Sequence, residues 1–258
     1  MATSANSIYH YTPELAYLFN ILRDGFYPSY CKEEIVLDSK TMKFAVPILS
    51  FCDLPLSQVK EDMQKYGEYA IGLNMEWAVR YGLNPVIYLE ERSILNREMM
   101  NLLNFAQKTS HETFSEKKIE ESAYKNYCSA ISILQSLKNY KGVLERKEKG
   151  PQNVKFYDER EWRFTPQIHL SHSAQYPNIF FEVNFSRKIK MFSKKPHFKD
   201  YNVKIEIGDI TYLIVSKDEE VTYLISHLKT VPHLFKNTDD FERLLTKIKT
   251  ATQIKEDF

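Results

Sequence analysis

At 258 residues and 43% hydrophobic content, the chain can bury a substantial core, as one large domain or two small ones. Its net charge of +1, from 35 basic and 34 acidic residues, is not that of a protein that coats nucleic acid. Seven glycines, with no GxGxxG and no GxxxxGK[ST], argue against a Rossmann dinucleotide site and a P-loop.

In chain order, Ile8 to Tyr11 reads as a short strand. Thr12-Pro13-Glu14 reads as a helix start with Thr12 as N-cap, and Gly25 as its end. Ala45 to Cys52 reads as a buried strand. Asp53 to Ser57 reads as a turn, with Asp53 or Ser57 capping a helix to Lys65 or Tyr66. Tyr69 to Leu73 is a second buried strand, Asn74 caps a short helix carrying Trp77 and Ala78, and Pro85 to Leu89 is a third strand.

A helical region in two parts follows, Ile94 to Lys108 and Glu116 to Tyr140. The second part carries a stripe of Ala123, Tyr127, Ala130, Ile131, Leu134 and Leu137. Glu145 to Gln152 reads as a linker loop. Strands are expected at Lys155 to Pro166, Phe180 to Phe185, Ile205 to Ile207 and Ile210 to Val215. Helices are expected at Glu219 to Leu228 and Phe241 to Ile248. This order predicts a single α+β domain over 1–258. It has a mixed central sheet of about six to eight strands, flanking helices and a helical insertion at about 93–145.

The three cysteines, Cys31, Cys52 and Cys128, are far apart and form no CxxC pair, so free thiols are expected. The first residues lack the basic and apolar regions of a signal peptide, and no apolar run approaches the ~20 residues that span a bilayer. The reading is of a soluble, cytoplasmic protein with no membrane partner. Arg187, Lys188, Lys190, Lys194, Lys195 and Lys199 form a local basic run without an acid. It is either a solvated edge or a contact for a nucleic-acid phosphate backbone. His169 and His172 supply too few convergent ligands for zinc, so no metal is expected. Ser50 has no GxSxG around it.

The stretch Tyr157-Asp158-Glu159-Arg160-Glu161-Trp162-Arg163-Phe164 carries most of the chemistry. Strand alternation puts Trp162 and Phe164 on a core face and Glu159, Glu161 and Arg163 on a charged one. That face is either solvated or the grip for a polar ligand.

Several pieces together resemble one family. They are Ile8 to Thr12, Arg23-Asp24-Gly25-Phe26 with Pro28-Ser29, PILSFCDLPLS from Pro47, YGEYAIGL from Tyr66, Glu76-Trp77-Ala78, and Asn84 to Tyr88. YDEREWR from Tyr157, DITYLIV from Asp209, and the C-terminal Lys247 to Thr250 and Gln253 to Phe258 complete the set. The ordered set resembles the AbiGi family of bacterial abortive-infection (phage-resistance) proteins. That resemblance implies the antitoxin half of a two-component defence pair, with a toxin or another defence protein as partner.

A second resemblance concerns chemistry. A Tyr-His-Tyr-Thr strand leading into a helix resembles the opening of ADP-ribosyltransferase-like folds. It implies an NAD-binding cleft and an NAD-dependent transferase or glycohydrolase. His10 then matches an early ribose- or pyrophosphate-contacting position, Tyr69 a middle aromatic, and Glu161 the late acid. Glu161, with Glu159 as competitor, would stabilise positive charge developing on the ribose. His10, Tyr11, Thr12, Tyr69 and Arg163 would bind the cofactor, Arg163 either clamping phosphate or pairing with Glu161. The alternative is a non-catalytic antitoxin or binding module that restrains a toxin by contact.

Overall fold

A computed structural model of the protein describes residues 5–115, 121–146, 150–166, 179–181 and 198–257. Its frame is a nine-stranded mixed sheet. The strands are β1 (Ser7–Thr12), β2 (Ser29–Leu37), β3 (Lys40–Cys52), β4 (Tyr69–Asn74), β5 (Asn84–Pro85), β10 (Glu161–Phe164), β11 (Phe180–Phe181), β12 (Ile210–Val215) and β13 (Ile248–Thr250). Seven run in the order β13-β12-β4-β1-β3-β10-β5, and β2 and β11 both pair with the long β3. Among the described residues, only β12 and β13 pair in parallel within this sheet. Two small sheets lie outside it. One pairs β6 (Ile87–Leu89) with β7 (Leu137–Asn139), the other β8 (Gly142–Arg146) with β9 (Gly150–Val154).

The helices are α1 (Leu15–Asp24), α2 (Lys60–Tyr66), α3 (Met75–Arg80), α4 (Ile94–Ser115), α5 (Glu121–Gln135), α6 (Glu219–Leu228), α7 (Thr238–Leu245) and α8 (Ala251–Asp257). They divide between the two faces of the sheet. On one face Leu18 and Leu22 of α1, Trp77 of α3, Leu224 and Leu228 of α6 and Leu244 of α7 pack on Ile8, Phe51, Ile71 and Leu213. On the other, Val59, Met63 of α2 and Ile254 of α8 pack on Tyr9, Cys52, Ala70 and Ile214. Farther along that second face, Met100 of α4 and Leu134 of α5 pack on Ile35, Phe44, Val46 and Ile48. Period-2 alternation along each strand feeds both layers, which is why the central strands read as nearly continuous apolar runs.

Register settles which side chains share a face. Tyr9 and Glu161 both stand opposite Cys52, while Trp162 pairs Phe51 and Arg163 pairs Ser50. Directly opposed residues point the same way. Tyr9, Tyr11, Ser50, Cys52, Glu161 and Arg163 therefore share one face. His10, Phe51, Trp162 and Phe164 lie on the other.

Several expected elements differ. Residues Ser29–Leu37 form a strand that the chain's composition hides. It joins β3 through Asp38 and Ser39, both in left-handed conformation (φ 47° and 61°), as a two-residue hairpin demands. Thr12 ends β1 instead of capping α1; its hydroxyl donates to the Glu14 carbonyl at 2.9 Å. Ser57 lies in a 3-10 turn, Leu56–Gln58, and α2 starts without a side-chain cap. Asp53 instead accepts the Ala5 backbone N–H at 2.8 Å.

The expected strand from Lys155 is shortened to Glu161–Phe164. Phe156–Glu159 is a 3-10 turn, and Arg160 at φ 44° breaks the extended run. Ser136 to Tyr140, read as helix, includes β7, and the expected linker loop includes parts of β8 and β9. Ile207–Asp209 is a 3-10 turn, not a strand. The last expected helix begins earlier, with Asn237 accepting from the Asp240 backbone N–H at 2.9 Å, and stops before β13. Asn74 caps α3 as expected, accepting from Trp77 N–H at 2.8 Å. His169, His172 and the basic run up to 197 lie outside the described residues.

Asn96 ties α4 to the β2–β3 hairpin. It is fully buried, accepts the Asp38 N–H and donates to the Val36 carbonyl, each at 2.8 Å. Asn96→Ala strips a partner from both backbone groups and is expected to cost about 1–3 kcal/mol. Urea unfolding that moves by less than 0.5 kcal/mol would contradict this clamp.

Candidate functional site

β1 and β3 share one registered pair, Tyr9 with Cys52. Beyond it the ladder lapses. The Ser50 carbonyl is met instead by the His10 ring, whose Nδ1 stands 2.9 Å away. A carbonyl can only accept, so Nδ1 carries the proton. The ring lies between Phe26 and Phe51, at centroid distances of 5.2 and 5.4 Å. Burial lowers its pKa, opposed by the Ser50 hydrogen bond.

A cavity of about 260 Å³ opens at this break. β1 supplies Tyr9, His10 and Tyr11; β2 supplies Cys31 and Glu33; β3 supplies Ile48 and Ser50 to Cys52. Asp62 and Tyr66 come from α2, Lys138 from β7, Glu159 from the 3-10 turn and Glu161 from β10.

Glu161 is the centre of a buried charge cluster. Its Oε1 accepts from Ser50 Oγ at 2.6 Å and Arg163 Nε at 2.7 Å. Its Oε2 accepts from Lys138 Nζ at 2.7 Å and Arg163 Nη2 at 3.1 Å. Four donors fill the roughly four lone-pair positions of the carboxylate. Lys138 also donates to Glu159 Oε2 at 2.8 Å, and Tyr66 donates to Glu159 Oε1 at 2.9 Å. Arg163, 3% exposed, donates further to Glu33 at 2.9 Å and to the Gln135 carbonyl at 2.9 Å. Burial opposes ionisation of Glu161, but Arg163 and Lys138 outweigh it and hold the carboxyl well below the usual range. Burial likewise opposes the charge on Lys138, and Glu161 and Glu159 overcome it, raising its pKa.

The expected site residues divide accordingly. His10, Tyr11 and Glu161 line one cavity, although His10 and Glu161 are rooted on opposite faces of the sheet. Arg163 stands behind Glu161 as its partner. Thr12 and Tyr69 lie outside the lining, Tyr69 donating to Glu220 at 2.8 Å. Glu159 reaches the cluster through the turn and not by strand alternation. Sequence reading missed Lys138, which was placed on a helix. It also missed Asp62, Tyr66 and Glu33, because no local spacing links them to Glu161. A dinucleotide here would have to displace a donor from Glu161 and extend beyond the cavity. Among the described residues, no group of three or more His, Cys, Asp or Glu is placed to hold a metal ion, and no helix is long and apolar enough to cross a membrane.

The fold and site define a mixed α+β protein with a charge-lined cavity at a break between two central strands. The family profile described as abortive phage resistance protein AbiGi, antitoxin, matches residues 24–216. The chain belongs to the AbiGi family of abortive phage resistance proteins. It is 24% identical over 260 residues to "Abortive phage resistance protein AbiGi" of Lactococcus lactis subsp. cremoris, covering 91% of this chain and 100% of that relative. No solved structure matches the chain.

Proposed function

We propose that this chain serves anti-phage defence as an antitoxin-type binding module that restrains a toxin by contact, without turnover of its own. The observation that carries this reading is the state of Glu161. The acid best placed for chemistry has its lone pairs occupied by Ser50, Lys138 and Arg163. Such a carboxylate organises its surroundings but has no acceptor left for a ribose hydroxyl. The description of the family as an antitoxin agrees with it.

A second reading keeps NAD in the cleft, because His10 and Glu161 border the same cavity. It requires Lys138 or Arg163 to release Glu161 when the cofactor enters. One experiment separates the two. The purified chain is incubated with NAD, alone and with the toxin of its defence pair, and the two proteins are co-expressed. The binding reading expects no nicotinamide release, co-elution of the pair, and restored growth in cells carrying the toxin. Nicotinamide release that disappears in Glu161→Gln would establish the NAD reading instead.

A further inference from the structure

The cavity at the break between β1 and β3 reaches through the plane of the sheet. His10 and Phe51 border it from the face that α1 covers, and Tyr11, Ser50 and Glu161 from the other. A second cavity, of about 250 Å³, lies on the α1 face and is lined in part by Tyr17 and Tyr27, which are 47% and 37% exposed. Among the described residues, His10 alone lines both. Its ring has one nitrogen to spare. Nδ1 spends its proton on the Ser50 carbonyl, so Nε2 carries a lone pair and can only accept. Among the described residues no donor reaches Nε2, and Nε2 is not one of the enclosed unpaired atoms, so it keeps open surface. We propose that the cavity at this break binds a flat, uncharged heterocycle bearing a ring N–H, of the indole or nucleobase kind, which donates that N–H to His10 Nε2.

Charge, shape and size each support a neutral ring. The carboxylates of the lining are answered within the protein. Glu161 has Ser50, Lys138 and Arg163, Glu159 has Lys138 and Tyr66, and Glu33 has Arg163. Asp62 has Lys65 at 3.9 Å and the Cys52 thiol beside it. A charged ligand would enter with no counter-ion, and burying an unpaired charge costs more than one hydrogen bond returns. Burial lowers the His10 pKa, which keeps Nε2 unprotonated at neutral pH and able to accept. The His10 ring stands between Phe26 and Phe51, and Tyr9 and Tyr11 line the same cavity, so a flat body meets aromatic rings suited to edge-on or offset contact. A cavity of about 260 Å³ holds on the order of nine water volumes, enough for a fused two-ring compound. The proposal requires neither contact with a toxin nor turnover of NAD.

Indole and benzofuran test it, because they share size and shape and differ in having a ring N–H or a ring oxygen. Ligand-observed NMR titration of the full chain at pH 7.5 is expected to show indole binding about tenfold or more tightly than benzofuran, whose oxygen would oppose the Nε2 lone pair. In protein labelled with nitrogen-15 at histidine, the His10 Nε2 resonance is expected at the position of an unprotonated nitrogen and to move with indole but not with benzofuran. His10→Asn sets an amide N–H where Nδ1 stood and removes Nε2. It is expected to keep a Tm near that of wild type and to cut the preference for indole below threefold. Equal affinity for indole and benzofuran would overturn the proposal, as would no binding by either or a His10→Asn variant that keeps the full preference. A protonated Nε2, or one that indole leaves unmoved, would overturn it in the wild-type protein whatever the variant does. Benzamidine binding more tightly than indole would overturn the assignment of a neutral ligand.

Discussion

Replacing Glu161 with Gln is expected to destabilise the protein by about 3 kcal/mol, at the lower end of the range for breaking a buried ion pair. Gln keeps the shape and one acceptor oxygen but withdraws the charge that answers Arg163 and Lys138, which are 2% and 16% exposed in their side chains. Glu33 and Glu159 remain as partial partners, which limits the loss. The pH dependence follows from the depressed folded-state pKa of Glu161. The unfolded carboxyl titrates near 4.3. The Glu161 contribution is therefore complete above that value, declines as pH falls below it, and is fully lost once pH has passed the lower folded-state value. Urea unfolding should show the full gap between wild type and Glu161→Gln at pH 7, shrinking below about pH 4. A gap under 1 kcal/mol at pH 7 would mean that the charge cluster does not hold the sheet together.

Trp77→Ala is expected to cost about 3–5 kcal/mol, the range for emptying a large aromatic site in a core. Trp77 is 0% exposed and packs against Phe26, Phe51 and Tyr81 at centroid distances of 5.7, 5.3 and 5.4 Å. Its indole N–H donates to the Lys204 carbonyl at 2.9 Å, so truncation also orphans a backbone acceptor. Trp162 is the internal control. The strand pattern marks it as a core residue, but it is partly buried at the rim of the same cluster, beside the short edge strand β5. Trp162→Ala is expected to cost about 1–2 kcal/mol, in proportion to the smaller area it hides. Equal losses in the two variants would mean that the rim is packed as tightly as the centre.

Much of the frame was legible because its signals are local. Alternation in Tyr9 to Tyr11 and in Glu161 to Phe164, the apolar runs at Tyr69 to Leu73 and Ile210 to Val215, Asn74 as a cap and Gly25 as a stop each follow from a few neighbouring residues. Strand β2 was not legible. Its burial pattern is mostly exposed and intermediate, and its turn uses Asp38-Ser39 where glycine or asparagine is the usual signal. β7 was hidden because Leu137 continues the apolar stripe of α5, so one periodicity covers two kinds of element.

The site divides along the same line. The sequence alone put Glu161 and Arg163 together on one charged strand face, because charged residues alternating with apolar ones announce themselves within a few positions, whereas His10, Tyr11, Thr12 and Tyr69 entered only through a resemblance. It also carried the ordered set of segments that marks the family. Only the tertiary structure decided that Glu161 is saturated by Ser50, Lys138 and Arg163, from residues 111 and 23 positions away for the first two. The register that sets both Tyr9 and Glu161 opposite Cys52, and so leaves His10 on the other face, is likewise a long-range matter. So is the arrival of Asp62 from α2 at the same cavity. Register and helix docking are set by the sum of many distant contacts, and no spacing along the chain encodes such a sum.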